Sequence, residues 1–186
     1  MSSTKSHYPA PLPGEQTPPH LLDEVLRVDH AGEYGAKRIY AGQLAVLKNH
    51  ECAPIIQHMA EQEEEHLATF EHLVKERGAR PTALMPLWHG LGFALGAGTA
   101  LLGEKAAMAC TVAVERVIAD HYAEQHAALG EDEAPLKATI ARFREEEMEH
   151  HDTGLEHDAE SAPFYDALSA GVSGATRLAI WLSKRI

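Results

Sequence analysis

One spacing occurs twice along the chain and limits what it can fold into. Glu33 is followed 30 residues on by Glu63-x-x-His66, and Glu115 is followed 32 residues on by Glu147-x-x-His150. Each copy falls on stretches with a three- and four-residue apolar period, the signature of amphipathic helices. The first runs from about Leu21 to Lys48, with Leu22, Leu26, Asp29, Glu33, Ala36, Tyr40, Leu44 and Leu47 in phase. The second, about Pro54 to Arg77, carries Ile56, Met59, Glu63, His66, Phe70 and Leu73, with Pro54 suited to a first turn and Gly78 to an end. The third, about Glu104 to Leu129, has Met108, Thr111, Glu115, Ile118, Tyr122 and Leu129 in register. The fourth, about Pro135 to His157, has Leu136, Ile140, Phe143, Glu147, His150, Gly154 and His157. No stretch alternates with period two for long enough to make a strand, so an all-α fold is expected.

The stripes that should be buried therefore carry four glutamates and two histidines. An ionised carboxylate on a buried face costs several kcal/mol unless it is paired or bound to a cation. Glu-x-x-His sets both side chains on one helix face a turn apart, where the carboxylate can bridge two ions while the imidazole holds one. A single Glu-x-x-His in so acidic a chain is weak evidence. Two copies, each preceded by a Glu on its own helix, match the ferritin-like di-metal carboxylate bundle, in which two helices give one Glu and two give Glu-x-x-His. Oxygen-rich donors with one imidazole per ion suit iron or manganese better than copper, and iron is favoured. The competing explanation is a four-helix bundle whose acidic runs EQEEEH and REEEMEH are solvated faces.

Composition narrows the function classes. With 186 residues the chain is sized for one domain. Its 16 Lys and Arg against 28 Asp and Glu give a net charge of −12, the wrong sign for a partner recognised through phosphates, so no nucleic acid is expected. Cys52 and Cys110 form no C-x-x-C pair, which removes a disulfide framework and thiolate metal ribbons and fits a reducing compartment. Residues 1–20 hold Pro9, Pro11, Pro13, Pro18 and Pro19 and read as an extended, disordered lead-in to a domain over 21–186. Lys5 is the only basic residue among them, so neither a secretory signal nor an Arg-rich transit peptide is expected.

Between the two halves, Pro81 to Gly103 holds no Asp, Glu, Lys or Arg. That length meets the threshold for a membrane span, but Pro86 and five glycines make a poor isolated helix. A span would also put the two halves of the repeat on opposite sides of a bilayer. The expectation is a long apolar crossover helix of the bundle wetted by lipid on one face, with a purely internal crossover as the alternative; Gly92-x-x-x-Gly96 allows close helix packing in lipid or in a soluble core alike. At the C-terminus, within 163–186, Phe164, Leu168, Val172, Ala175, Leu178, Leu182 and Ile186 share a helix face beside Arg177, Lys184 and Arg185. Such an amphipathic helix either lies in a membrane interface or packs on the bundle. The Gly run G-L-G-F-A-L-G misses the dinucleotide fingerprint by one residue and follows no strand, so no nucleotide motif is read.

Three strings, LRVDHAGEYGAKRIYAGQLAVL, RPTALMPLWHGLGFALGAGTALLGEKAAMACTVAVERVIADHY and FREEEMEHHDTGLEHDAE, resemble the demethoxyubiquinone hydroxylase family of ubiquinone biosynthesis, and the likeness runs from about Leu22 to Ile186. The resemblance implies a ferritin-like fold, two iron ions, dioxygen as co-substrate, and hydroxylation of a polyprenyl-methoxy-methyl-benzoquinol ring. It also implies peripheral attachment to the cytoplasmic face of a bacterial inner membrane, or to the matrix side of the mitochondrial inner membrane. Carried over by motif, the metal ligands are Glu33, Glu63, His66, Glu115, Glu147 and His150, with Glu63 and Glu147 as bridges. His121 and Tyr122 resemble family residues beside the centre. The two electrons needed per turnover would come from NADH or another reductant. Partners would be the polyprenyl benzoquinol, the membrane surface, and a second copy or other proteins of the pathway. Iron storage and a manganese catalase or peroxidase on the same bundle are the alternatives.

Overall fold

The computed structural model describes residues 11–12 and 14–186, and among them there are six α-helices and no strand. They are α1 (Pro19–Leu47), α2 (Ala53–Arg77), α3 (Met85–Leu101), α4 (Glu104–Ala128), α5 (Ala134–Glu156) and α6 (Tyr165–Ser183). The four bundle helices lie within two residues of the bounds read from the periodicity. Proline opens four of the six helices, Pro19, Pro54, Pro86 and Pro135 sitting in first turns where a missing N–H leaves nothing unsatisfied. Gly78 closes α2 with φ of 68°, a left-handed conformation that suits glycine, and its N–H returns to Val74 O.

The extended lead-in expected over 1–20 falls mainly on residues 1–10 and 13, outside the described residues. Of its remainder, Pro19 and His20 already belong to α1. Thr17 is buried and tied to the α4–α5 connection. Its N–H and hydroxyl donate to the Asp132 carboxylate at 3.0–3.1 Å, and Gly130 N–H donates to its Oγ1 at 2.8 Å. The same connection holds the end of α2 through a bidentate pair between Arg77 and Glu133, 3.0 and 3.1 Å.

Helices α1, α2, α4 and α5 form the ferritin-like bundle, α1 packing on α2 and α4 on α5. Two apolar clusters flank its middle. One includes Val25, Leu26, Phe70, Val114, Ile140 and Phe143; the other includes Leu47, Ile56, Met59, Ala107 and Met108. Between them the stripes turn polar, and this interruption is where the glutamates and histidines meet.

Within the segment 81–103, α3 is a 17-residue helix, shorter than the apolar run because Pro81 to Leu84 and Leu102 to Gly103 remain outside it. It lies against α1 at backbone contact distance. A Cβ on Gly96 would strike the carbonyl of Ile39, one on Gly42 would strike that of Phe93, and one on Gly92 would come within 2.9 Å of Gly35 O. Leu87, Leu91 and Leu101 of α3 are exposed, as is Leu102 just after it. No helix among the described residues is long and apolar enough to cross a membrane.

α6 divides the C-terminal face expected to act as one. Val172 is buried and Leu168 packs against the core, while Phe164, Leu178 and Ile186 are exposed together with Trp181. The end of α6 meets the start of α3 and the first third of α1. Thr82 Oγ1 donates to Ile186 O at 2.6 Å, Trp88 Nε1 to Ser183 Oγ at 3.1 Å, and Arg27 to Lys184 O at 3.0 Å. An apolar cavity of about 160 Å³ lies between α1, α3, α4 and α6, lined by Ala36, Ile39, Leu95, Ile118, Ala179 and Ile180 among others.

Candidate metal centre

The six residues selected on the stripes converge in the bundle's middle, each no more than 2% exposed. Glu33 and Glu115 come from α1 and α4; Glu63 and His66 from α2, and Glu147 and His150 from α5, each pair a turn apart. They form two quartets whose donor atoms lie within 4.8 Å of one another: Glu33, Glu63, His66 and Glu147, and Glu63, Glu115, Glu147 and His150. Glu63 and Glu147 belong to both quartets, the position of a carboxylate that spans two ions. The neighbouring Glu64 and Glu65 point to solvent and pair with Lys37 at 3.0 Å and Arg142 at 3.3 Å.

Buried polar atoms in folded proteins are nearly always hydrogen-bonded. Here both oxygens of Glu63 and Glu147, one oxygen each of Glu33 and Glu115, and Nδ1 of His66 and His150 are buried without a hydrogen-bond partner. His66 Nδ1 stands 3.3 Å from Glu33 and 3.2 Å from Glu147; His150 Nδ1 stands 3.3 Å from Glu63 and 3.4 Å from Glu147. These unpaired donors all face the two quartets, and the residues fit a pair of cations.

The atoms turned away from the centre are satisfied. His66 Nε2 lies 2.5 Å from Glu146 Oε2 and His150 Nε2 lies 3.0 Å from Gln62 Oε1. Both partners are acceptors there, so each Nε2 carries hydrogen and each Nδ1 faces the centre. Tyr40 donates to Glu115 Oε1 at 2.7 Å and Tyr122 donates to Glu33 Oε1. The pattern has a pseudo-two-fold: the tyrosine seven residues beyond the glutamate of α1 serves the glutamate of α4, and the reverse.

Without cations the carboxylates compete for protons. Burial pushes the carboxyls of Glu63 and Glu115 well above the usual range, and the charge of Glu147 raises them further. Burial opposes the charge of Glu147 as well, but His150 and His66 outweigh it and hold its carboxyl low. His66 is pulled down by burial, and the facing carboxylates of Glu147 and Glu33 more than reverse this. Protons that neutralise a buried donor set in this way are displaced when cations bind.

Tyr122 donates to Glu33, a member of the first quartet. His121 belongs to neither quartet; its Nε2 lies 3.1 Å from Gln125 Nε2, and Gln125 donates to buried Asp29 at 2.6 Å. Tyr40 was legible as a stripe residue but not as a partner of Glu115. Glu146 and Gln62 sit off the apolar phase, and only the matched position of each, immediately before the Glu of a Glu-x-x-His, marks them.

The chain is similar throughout to named proteins. It is 57% identical over 176 residues to 3-demethoxyubiquinol 3-hydroxylase of Rhodospirillum rubrum, covering 94% of this chain and 83% of that one. It is 55% identical over 169 residues to the human NADPH-dependent 3-demethoxyubiquinone 3-hydroxylase, mitochondrial (89% and 78% covered). It is 43% identical over 183 residues to 5-demethoxyubiquinone hydroxylase, mitochondrial, of Saccharomyces cerevisiae (89% and 78%). The family model described as "Ubiquinone biosynthesis protein COQ7" matches residues 20–183, and the chain that builds this buried carboxylate centre belongs to that family.

Proposed function

We propose that this protein is a 3-demethoxyubiquinol 3-hydroxylase whose centre holds two iron ions, one on Glu33 and His66 and one on Glu115 and His150, with Glu63 and Glu147 between them. The observation that carries the reading is the set of buried, unpaired donor atoms on the two quartets. Iron, when bound, supplies activation of dioxygen for insertion of one oxygen atom into the quinol ring. The chain's own residues orient and exclude. Tyr40 and Tyr122 fix one oxygen of each terminal glutamate and leave the other for a cation. Glu146 and Gln62 fix the imidazole tautomers, and the phenylalanines Phe70 and Phe143, both fully buried, close one side against water.

The cavity supplies a place for an apolar substrate. Its α1 wall includes Ala36, one turn from both Glu33 and Tyr40, and its outer wall is the half-exposed α3 and α6. A ring carried on a polyprenyl chain would lie there, the chain leaving toward the exposed Leu87, Leu91, Leu178 and Trp181, where the protein rests on a membrane surface. Two of the relatives named above carry "mitochondrial" in their names and the human one "NADPH-dependent"; for this chain a reduced nicotinamide nucleotide is the proposed electron source. Iron storage gives no reason for the apolar cavity beside the centre, and peroxide chemistry gives none either.

Iron-loaded protein supplied with a demethoxyquinol, a reductant and labelled dioxygen should place one labelled atom on the ring, read by mass analysis. Glu115→Gln should lose both metal and hydroxylation while helix content by circular dichroism stays at the wild-type level. An unlabelled ring with iron and reductant shown to be present, or full activity in Glu115→Gln, would overturn the reading.

A further inference from the structure

The pseudo-two-fold of the centre is kept by the ligands and by their tyrosine partners, and is broken behind the histidines. The residue preceding the Glu of each Glu-x-x-His serves the histidine of the other motif: Glu146 of α5 receives His66 Nε2–H, and Gln62 of α2 receives His150 Nε2–H. One acceptor is a carboxylate at 2.5 Å and the other an amide oxygen at 3.0 Å. Arg142 holds the Glu146 carboxylate in place, donating to its Oε1 at 3.1 Å and to Glu65 Oε1 at 3.3 Å, so Oε2 is left for the histidine. One guanidinium against two carboxylates leaves that side with negative charge. A second broken pair, Asp29 against Thr111 in the bonds from Gln125 and Gln43, does not add to it, since burial drives the Asp29 carboxyl toward its neutral form.

A charged acceptor takes more of the imidazole proton than a neutral one and makes Nδ1 the stronger donor to a cation. We propose that the two ion positions are unequal, the position on His66 and Glu33 filling first and more tightly because Glu146 stands behind it where Gln62 stands behind the other. This inference rests on the two-ion reading of the centre. Outer partners of metal-bound histidines are worth about 10–100-fold in affinity, so a difference of roughly tenfold is expected between the positions.

The test uses the metal-free full chain with Mn2+ as the probe. Crystals grown with one equivalent of Mn2+ should show the anomalous peak concentrated at the His66 position, and solution titrations followed by electron paramagnetic resonance should pass through a mononuclear signal before a coupled one. Glu146→Gln should make the two positions fill alike, and so should Gln62→Glu, which reaches the same balance by adding charge to the other side. Combining them as Q62E/E146Q should send the first ion to the His150 position. Equal peaks in the wild type, or the wild-type order kept in the combined variant, would overturn the inference while leaving two-ion binding intact. Absence of Mn2+ from both quartets would instead overturn the metal centre and this inference with it.

Discussion

Glu147 and Cys110 are both fully buried on neighbouring helices of the bundle, and their surroundings give them opposite chemistry. Glu147 faces two imidazoles and keeps its charge. Cys110 lies in an apolar cluster, and burial pushes its thiol up to about 12. Thiolate, not thiol, is the nucleophile, so at pH 8 the thiol stays protonated and Cys110 should resist iodoacetamide in the native protein and react after denaturation in guanidinium. Mass analysis of the peptides reads the result, and rapid native labelling at Cys110 would contradict this burial. The residue scale was also where the sequence was most legible. The six centre residues could be selected because each breaks an apolar stripe, a conflict that pairing, protonation or a bound cation must relieve. Glu146 and Gln62 could not, because an off-stripe polar residue in an acidic run looks like any solvated one until the facing helix is in place.

At the scale of elements, the close approach of α1 and α3 rests on missing side chains. Gly96 sits over the backbone of Ile39, and Gly42 over that of Phe93, so neither neighbour can rotate away as a side chain would. Gly96→Val should force the helices apart and lower stability by about 1–3 kcal/mol, the range for overpacking a tight core, read as a lower urea midpoint. Gly98, which a Cβ would leave in open space, should accept alanine without such a loss. The glycine spacing in 81–103 was visible in the chain. Which helix it met was not, since the same spacing serves a lipid-embedded pair or a bundle crossover. α3 is shorter than the apolar run at both ends: Pro86 occupies its first turn, so the helix starts there, and Gly103 beyond its last turn takes a positive φ of 107°.

For the whole molecule, Leu87 and Leu91 on α3 and Leu178 and Trp181 on α6, the two outer helices that line the cavity, are exposed on a chain whose net charge is −12. Arg185 packs over the Trp181 ring at 4.1 Å, placing a cation beside the exposed aromatic. The protein should co-sediment with phospholipid vesicles, and Leu91→Glu combined with Trp181→Glu should abolish that association while the melting temperature stays near that of the wild type. Vesicle binding unchanged in that variant would remove this face as the contact.

Helix periodicity, the absence of alternating strands and the doubled Glu and Glu-x-x-His spacing determined from the chain alone the all-α bundle and which six polar residues meet in its middle, because buried charge must recur in step with the turn of the helix that buries it. The tertiary structure alone decided the pairings across helices: Tyr40 with Glu115, Tyr122 with Glu33, Glu146 with His66, Gln62 with His150. It also divided the C-terminal face into a packed side and an exposed one. These depend on the distance and rotation between helices far apart in sequence, and those follow from packing contacts such as the glycine seam of α1 and α3, which no local period encodes.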